Sequence, residues 1–69
     1  MVERLANDLR AAREANGWTQ GQLAEAIGVS RKTINTVENG VFIPSTVIAL
    51  KLAAVFGQPV EALFRLVEE

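Results

Sequence analysis

"TQGQLAEAIGVSRKTINTVENG", residues 19–40, is the stretch that decides the fold. It holds two short apolar runs, Leu23-Ala24-Ile27 and Ile34-Val37, parted by Gly28-Val29-Ser30. Thr19, with Gln22 three residues on, has the form of a capping box, in which a hydroxyl and an amide each satisfy a free backbone N–H at a helix start. Gly28 suits the left-handed conformation that ends such a helix, and Ser30 is a good cap for the next. The spacing predicts a short helix after Thr19 and a second over 31–38, closed by Asn39-Gly40. The second helix is unusual in its polar residues. Two adjacent cations, Arg31 and Lys32, lead into Thr33, Asn35 and Thr36, within a chain of formal net charge −1.

The rest of the chain reads as helices around this pair. Val2, Leu5, Leu9 and Ala12 recur at helical spacing, which predicts an amphipathic helix over roughly 3–16, closed by Asn16-Gly17. A loop through Phe42 and Pro44 leads to Ser45, a cap for a fourth helix over roughly 46–56. Val47, Leu50, Ala53, Ala54 and Phe56 are its core candidates, and Gly57 closes it. Pro59 suits the first position of a short fifth helix, with Glu61 third and Leu63-Phe64 as the apolar face. Arg65-Leu66-Val67-Glu68 alternates, as a strand or a fraying helix end would. The expected fold is all-α, five short helices with a possible short C-terminal strand, in one domain over residues 1–69.

Composition narrows the function classes. A chain of 69 residues buries only about 60% of the surface it exposes when unfolded. It has neither Cys nor His, which removes disulfides and the usual zinc ligands, so no metal or cofactor is expected. No apolar run approaches the ~20 residues of a membrane span. The opening "MVERLANDLR" is charged and amphipathic, unlike a signal peptide, so a cytoplasmic location is expected. Without His, Cys or Tyr, proton transfer and nucleophilic attack would fall to carboxylates, Lys or Ser. Glu25, Glu38 and Glu61 fall on different helices with no evident convergence, so no catalytic site is assigned.

Two short helices joined by a tight turn form a helix-turn-helix pattern, whose second helix enters the major groove of DNA. The charge distribution allows it, because the acidic excess lies outside residues 30–40. At this point four motifs in order, "LRxxRxxxGWTQ", "LAEAIGVSRKTINTVENG", "PSTVIALKLA" and "VEALF", become recognisable. Residues 9–64 resemble the Cro/cI-type (XRE) helix-turn-helix family of bacterial and phage regulators, whose DNA-binding domain has the lambda-repressor-like fold. The resemblance covers both compact single-domain regulators and the N-terminal domain of longer ones.

It implies a role for each matching residue. Arg31, Lys32, Asn35, Thr36 and Gln20 would touch base edges, Arg or Lys suiting guanine and Asn suiting adenine. Thr19, Gln22, Ser30, Thr33 and Asn39 would touch phosphate. Arg13 and Glu38 would form an ion pair tying the first helix to the end of the third. The loop Val41-Phe42-Ile43 departs from the pattern, since relatives there carry basic or polar residues beside the aromatic.

One small core cannot easily hide Val41, Ile43, Ile48, Val55, Phe64, Leu66 and Val67 together. A homodimer contact on the C-terminal part 57–69, using Val55, Phe64, Leu66 and Val67, is the expectation. Twofold symmetry would set two recognition helices about 34 Å apart, matching an inverted-repeat operator. A dimeric repressor on double-stranded DNA is thus the leading reading. The other is a protein-interaction module, antitoxin-like or an adaptor, whose partner covers the apolar surface.

Overall fold

The computed structural model describes residues 3–68. Chain order is β1 (Glu3–Asn7), α1 (Leu9–Ala15), α2 (Gln20–Ile27), α3 (Arg31–Glu38), α4 (Thr46–Phe56), α5 (Val60–Leu63) and β2 (Phe64–Glu68). Five helices surround one core. The two strands close the chain into an antiparallel ribbon, pairing Leu5 with Leu66 and Asn7 with Phe64.

Local signals place most helix ends. The Thr19–Gln22 capping box is complete: Gln22 N donates to Thr19 Oγ1 at 3.1 Å, and Thr19 N donates to Gln22 Oε1 at 2.8 Å. Ser30 and Ser45 cap α3 and α4 by accepting from the N–H of Thr33 and Ile48. Gly28, the pivot between α2 and α3, has φ +74°. There it lets Val29 N donate to Ala24 O, which satisfies a carbonyl at the end of α2. The helix start after Gly57 is shifted by one residue, with Pro59 outside α5 as its cap position.

The start of the chain overturns an expectation. Residues 3–7 form a strand, not the first two turns of a helix, and α1 begins only at Leu9. Asn7 makes the break, its Oδ1 accepting from Leu9 N at 3.1 Å while its Nδ2 donates to Val37 O at 3.0 Å. The next N–H, of Asp8, donates to Leu63 O at 2.9 Å. The backbone is thus spent on partners far along the chain. Leu5 and Leu9 share a helical interval, but pairing with β2 overrides it. Val2 lies outside the described residues.

Leu9, Leu23, Ile34, Val37, Leu52 and Leu63 are fully buried and form the centre of the core. Trp18 packs on Phe56, ring centroids 5.7 Å apart, and joins the start of α2 to the end of α4. Helix α4 brings a second correction. Leu52 and Ala53 are its buried residues, whereas the core candidates Val47, Leu50 and Ala54 face solvent. "TVIALKLAAVF" is apolar on nearly every side, so periodicity could not choose the face. Lys51 marks it: the charge shares the outer side with Val47, Leu50 and Ala54, and its Nζ donates to Ile27 O at 3.3 Å.

Nothing lies within 4 Å of a Cβ added at Gly28, so a side chain there is opposed by backbone conformation alone. Gly28→Ala is expected to destabilise the fold by about 1–2 kcal/mol in urea-unfolding experiments. Gly28→Asn should cost less, because Asn tolerates the left-handed region.

Candidate nucleic-acid interface

Helix α3 divides its residues by face. Ile34 and Val37 point into the core, leaving Arg31, Lys32 and Asn35 exposed on the opposite side. The Arg31 and Lys32 side chains make no hydrogen bond or ion pair among the described residues. Together with Gln20, from the first turn of α2, these three residues line one shallow cleft. Asn35 Nδ2 donates to Gln20 Oε1 at 3.5 Å, a long bond across the two helices.

The one acid of α3 is withdrawn from this face. The Glu38 side chain has no exposed surface, and Arg13 donates to it from Nε at 2.6 Å and Nη2 at 3.1 Å. Arg13 spends its remaining Nη1 on Trp18 O at 2.8 Å. Gln20 Nε2 donates to Glu38 Oε1 at 3.1 Å, and the more exposed Arg10 adds a longer contact at 3.4 Å. Burial by itself would raise the Glu38 carboxyl. The hydrogen bonds from Arg13, Gln20 and Arg10, with the Arg13 charge, outweigh it and hold the group below its ordinary value. Arg13 is held above its own ordinary value, chiefly by its hydrogen bonds to Glu38. The face that remains is cationic and amide-bearing.

A family model described as helix-turn-helix matches residues 9–63. The chain belongs to the XRE-type helix-turn-helix family. It is similar to the HTH-type transcriptional regulator YgzD of Bacillus subtilis, 35% identical over 94% of this chain and 98% of that one. An HTH-type regulator of Methanocaldococcus jannaschii is 40% identical over 87% of this chain and 91% of its own. Among solved structures, the restriction-modification controller protein C.AhdI of Aeromonas hydrophila superposes with a TM-score of 0.73. It is 35% identical, and the match covers 78% of this chain and 82% of that one. A DNA-binding regulator's scaffold is therefore present.

Within this family framework the other site residues fall into three groups. Thr19, Gln22, Ser30 and Thr33 lie at the starts of α2 and α3, and all four side chains already make capping hydrogen bonds; Ser30 Oγ and Thr33 Oγ1 are 2.9 Å apart. Asn39 extends α3, its Nδ2 donating to Asn35 O and its Oδ1 accepting from Arg10 Nη2 at 3.1 Å. Thr36 sits apart from the Gln20–Arg31–Asn35 cleft. Its hydroxyl donates back to the Lys32 and Thr33 carbonyls, both 3.0 Å away, and it lines a groove with Lys32, Thr33, Val41 and Phe42. The Thr36 hydroxyl is therefore committed to the helix.

Arg10 is the residue that sequence reading passed over. It reaches both Glu38 and Asn39 and sets an exposed cation beside the end of α3. Its interval of three from Arg13, on one helix face, was the available signal. The expected dimer residues need one correction. Phe64 is 7% exposed and belongs to the core cluster, because β2 starts with this side chain turned inward. Val55 and Val67 are half-buried, and Leu66 alone of the four is fully at the surface.

Arg13→Ala would leave Glu38 buried and short of its main partner, a change that costs about 3–5 kcal/mol. A core of this size rarely supplies more than about 3–5 kcal/mol in total, so calorimetry should find this variant largely unfolded at room temperature. The pair also sets an acid limit. Glu38 is depressed in the folded state, so its contribution is complete above the ordinary carboxylate range and is lost as pH falls through its own lower value. Glu38→Gln, followed by thermal melts against pH, should flatten that part of the acid limb.

Proposed function

We propose that the protein is a sequence-specific transcriptional regulator, a repressor that binds an inverted repeat in double-stranded DNA as a homodimer. The recognition helix is α3, lying in the major groove. Arg31, Lys32 and Asn35 read base edges from its first turns, with Gln20 reaching from α2. Arginine or lysine suits guanine O6 and N7, and asparagine suits adenine N6 and N7. Thr36 contributes through its methyl, which suits the methyl of thymine. Thr19, Gln22, Ser30 and Thr33 meet phosphates at the starts of α2 and α3, where helix N-termini offer N–H groups and partial positive charge, and Asn39 meets one through its side-chain amide at the far end of α3. Such a protein works where the chromosome is, in the cytoplasm, by occupying a promoter.

One observation carries this reading. Two unpartnered cations stand at the N-terminus of a helix whose only acid is buried and neutralised. Cations at a helix start oppose the macrodipole, at about 0.3–1 kcal/mol each. No contact among the described residues offsets that cost, whereas a phosphate or guanine outside the protein would. A protein-interaction module needs neither cation there.

The test is selection of bound duplexes from a random DNA pool at physiological salt, followed by affinity measurements on the enriched sequence. An inverted repeat with half-sites about one turn apart is expected. Arg31→Ala with Lys32→Ala should abolish the enrichment, since each lost base contact is worth about 1–3 kcal/mol of discrimination. Both positions are exposed, so the melting temperature should stay near that of the parent. A double variant that binds DNA as well as the parent would overturn the assignment of α3.

A further inference from the structure

We propose that the loop after α3 is a second base-reading element, in which Val41 and Phe42 hold the C5 methyl of a thymine against Thr36. This rests on the DNA-binding reading given above and names a base that the protein reads from outside the recognition helix.

The loop is folded back onto α3. Gly40, at φ +72°, reverses the chain. The N–H groups of Val41 and Phe42 then both donate to Thr36 O, at 2.9 and 3.2 Å. Those two donors are spent inside the protein, and no residue from Val41 to Ser45 is charged, so this loop has little to offer a phosphate. What it turns outward is apolar: Val41 is 77% exposed and Phe42 44%.

Lys32 and Thr36 stand four residues apart on α3 and form one row along it, as Arg31 and Asn35 form another. The Arg31–Asn35 row lies beside Gln20 of α2. The Lys32–Thr36 row lies beside the loop, where Ser30, Lys32, Thr33, Thr36, Val41 and Phe42 line an open groove. The hydroxyls of this groove are already engaged. Ser30 Oγ accepts from Thr33 N and lies 2.9 Å from Thr33 Oγ1, while the Thr36 hydroxyl donates to the Lys32 and Thr33 carbonyls. The groove is thus apolar, and the Lys32 ammonium at its rim is left to bond outward.

That combination selects an occupant. Base pairs display donors and acceptors in the major groove and one apolar group, the thymine methyl. On thymine the methyl stands next to O4, an acceptor that suits a cation. On cytosine the neighbouring group is an amino donor, which a lysine cannot use. The groove is continuous with the side of α3 that carries Lys32, so it meets the base edges when that helix does.

The test uses the duplex that the chain enriches from the random pool, with each thymine replaced in turn by uracil. Uracil pairs as thymine does and lacks only the methyl. For the parent, one such replacement in each half-site should weaken binding about fourfold, as expected for withdrawing one methyl from an apolar contact. This sensitivity should fall away in Val41→Ser and in Phe42→Ala and stay at the parent's level in Ile43→Ser. Ile43 is nearly as exposed as Val41 but lines a separate depression with Arg4 and Leu5 of β1. Phe42 borders both, so Val41→Ser decides the matter if Phe42→Ala fails to fold. An enriched operator in which no thymine is sensitive overturns the proposal, as does a sensitivity that survives Val41→Ser. Either result keeps the operator and loses only the groove. Failure of the DNA reading looks different: a folded chain that enriches no duplex loses the operator and the groove's role together.

Discussion

The Arg13–Glu38 pair is the constraint on which the arrangement of this small domain depends. One carboxylate, fully buried, gathers donors from Arg13 and Arg10 on α1 and from Gln20 on α2, while itself belonging to the last turn of α3. Three helices are thereby held to one point. Its role is not chiefly to supply stability. Each buried ion costs several kcal/mol to desolvate, which offsets much of the attraction between the two. The favourable term comes from side chains such as Leu9, Leu23, Ile34 and Leu52, each worth about 1.5–3 kcal/mol when fully buried. Apolar packing of this kind would tolerate small rotations of α3. A carboxylate with several directed hydrogen bonds would not, because any rotation leaves buried charge unsatisfied.

The same pair sorts the charges of α3. Arg31, Lys32 and Glu38 would sum to a weakly basic helix if all three faced water. With Glu38 turned inward and matched by Arg13, the outward side is cationic although the chain as a whole is slightly acidic. Net charge is therefore a poor guide here, and the direction of each side chain is a good one.

What could be read from the sequence divides by the range of the interactions involved. The helix-turn-helix and its caps were legible because the signals are local: Thr19 with Gln22, Ser30 with Thr33, and a left-handed Gly28 all act within a few residues. The ion pair was legible only through the resemblance. β1 was not legible, since its partner β2 lies at the other end of the chain and Leu5 to Leu9 imitates a helical interval. Phe64 was misplaced for a related reason. Its inward turn follows from pairing with Asn7, not from its neighbours. On α4 the apolar residues outnumber the positions one face can bury, so the pattern had no preferred side. Lys51 held that information, because a charge on an otherwise apolar helix identifies the side that meets water. Thr36 had to be seen to be read, since whether a threonine offers hydroxyl or methyl depends on where its proton is donated.

In the proposed complex these features work together. A chain with net charge −1 gains little long-range attraction to DNA, so each half-site is held by a few contacts from α2 and α3. Affinity then comes from joining two weak half-sites, the second binding at the high effective concentration set by the first. Protein concentration would consequently govern both dimer formation and operator occupancy, and the response to it would be steeper than one-to-one binding allows. That steepness would follow from dimer formation itself, with the amount of protein acting as the signal.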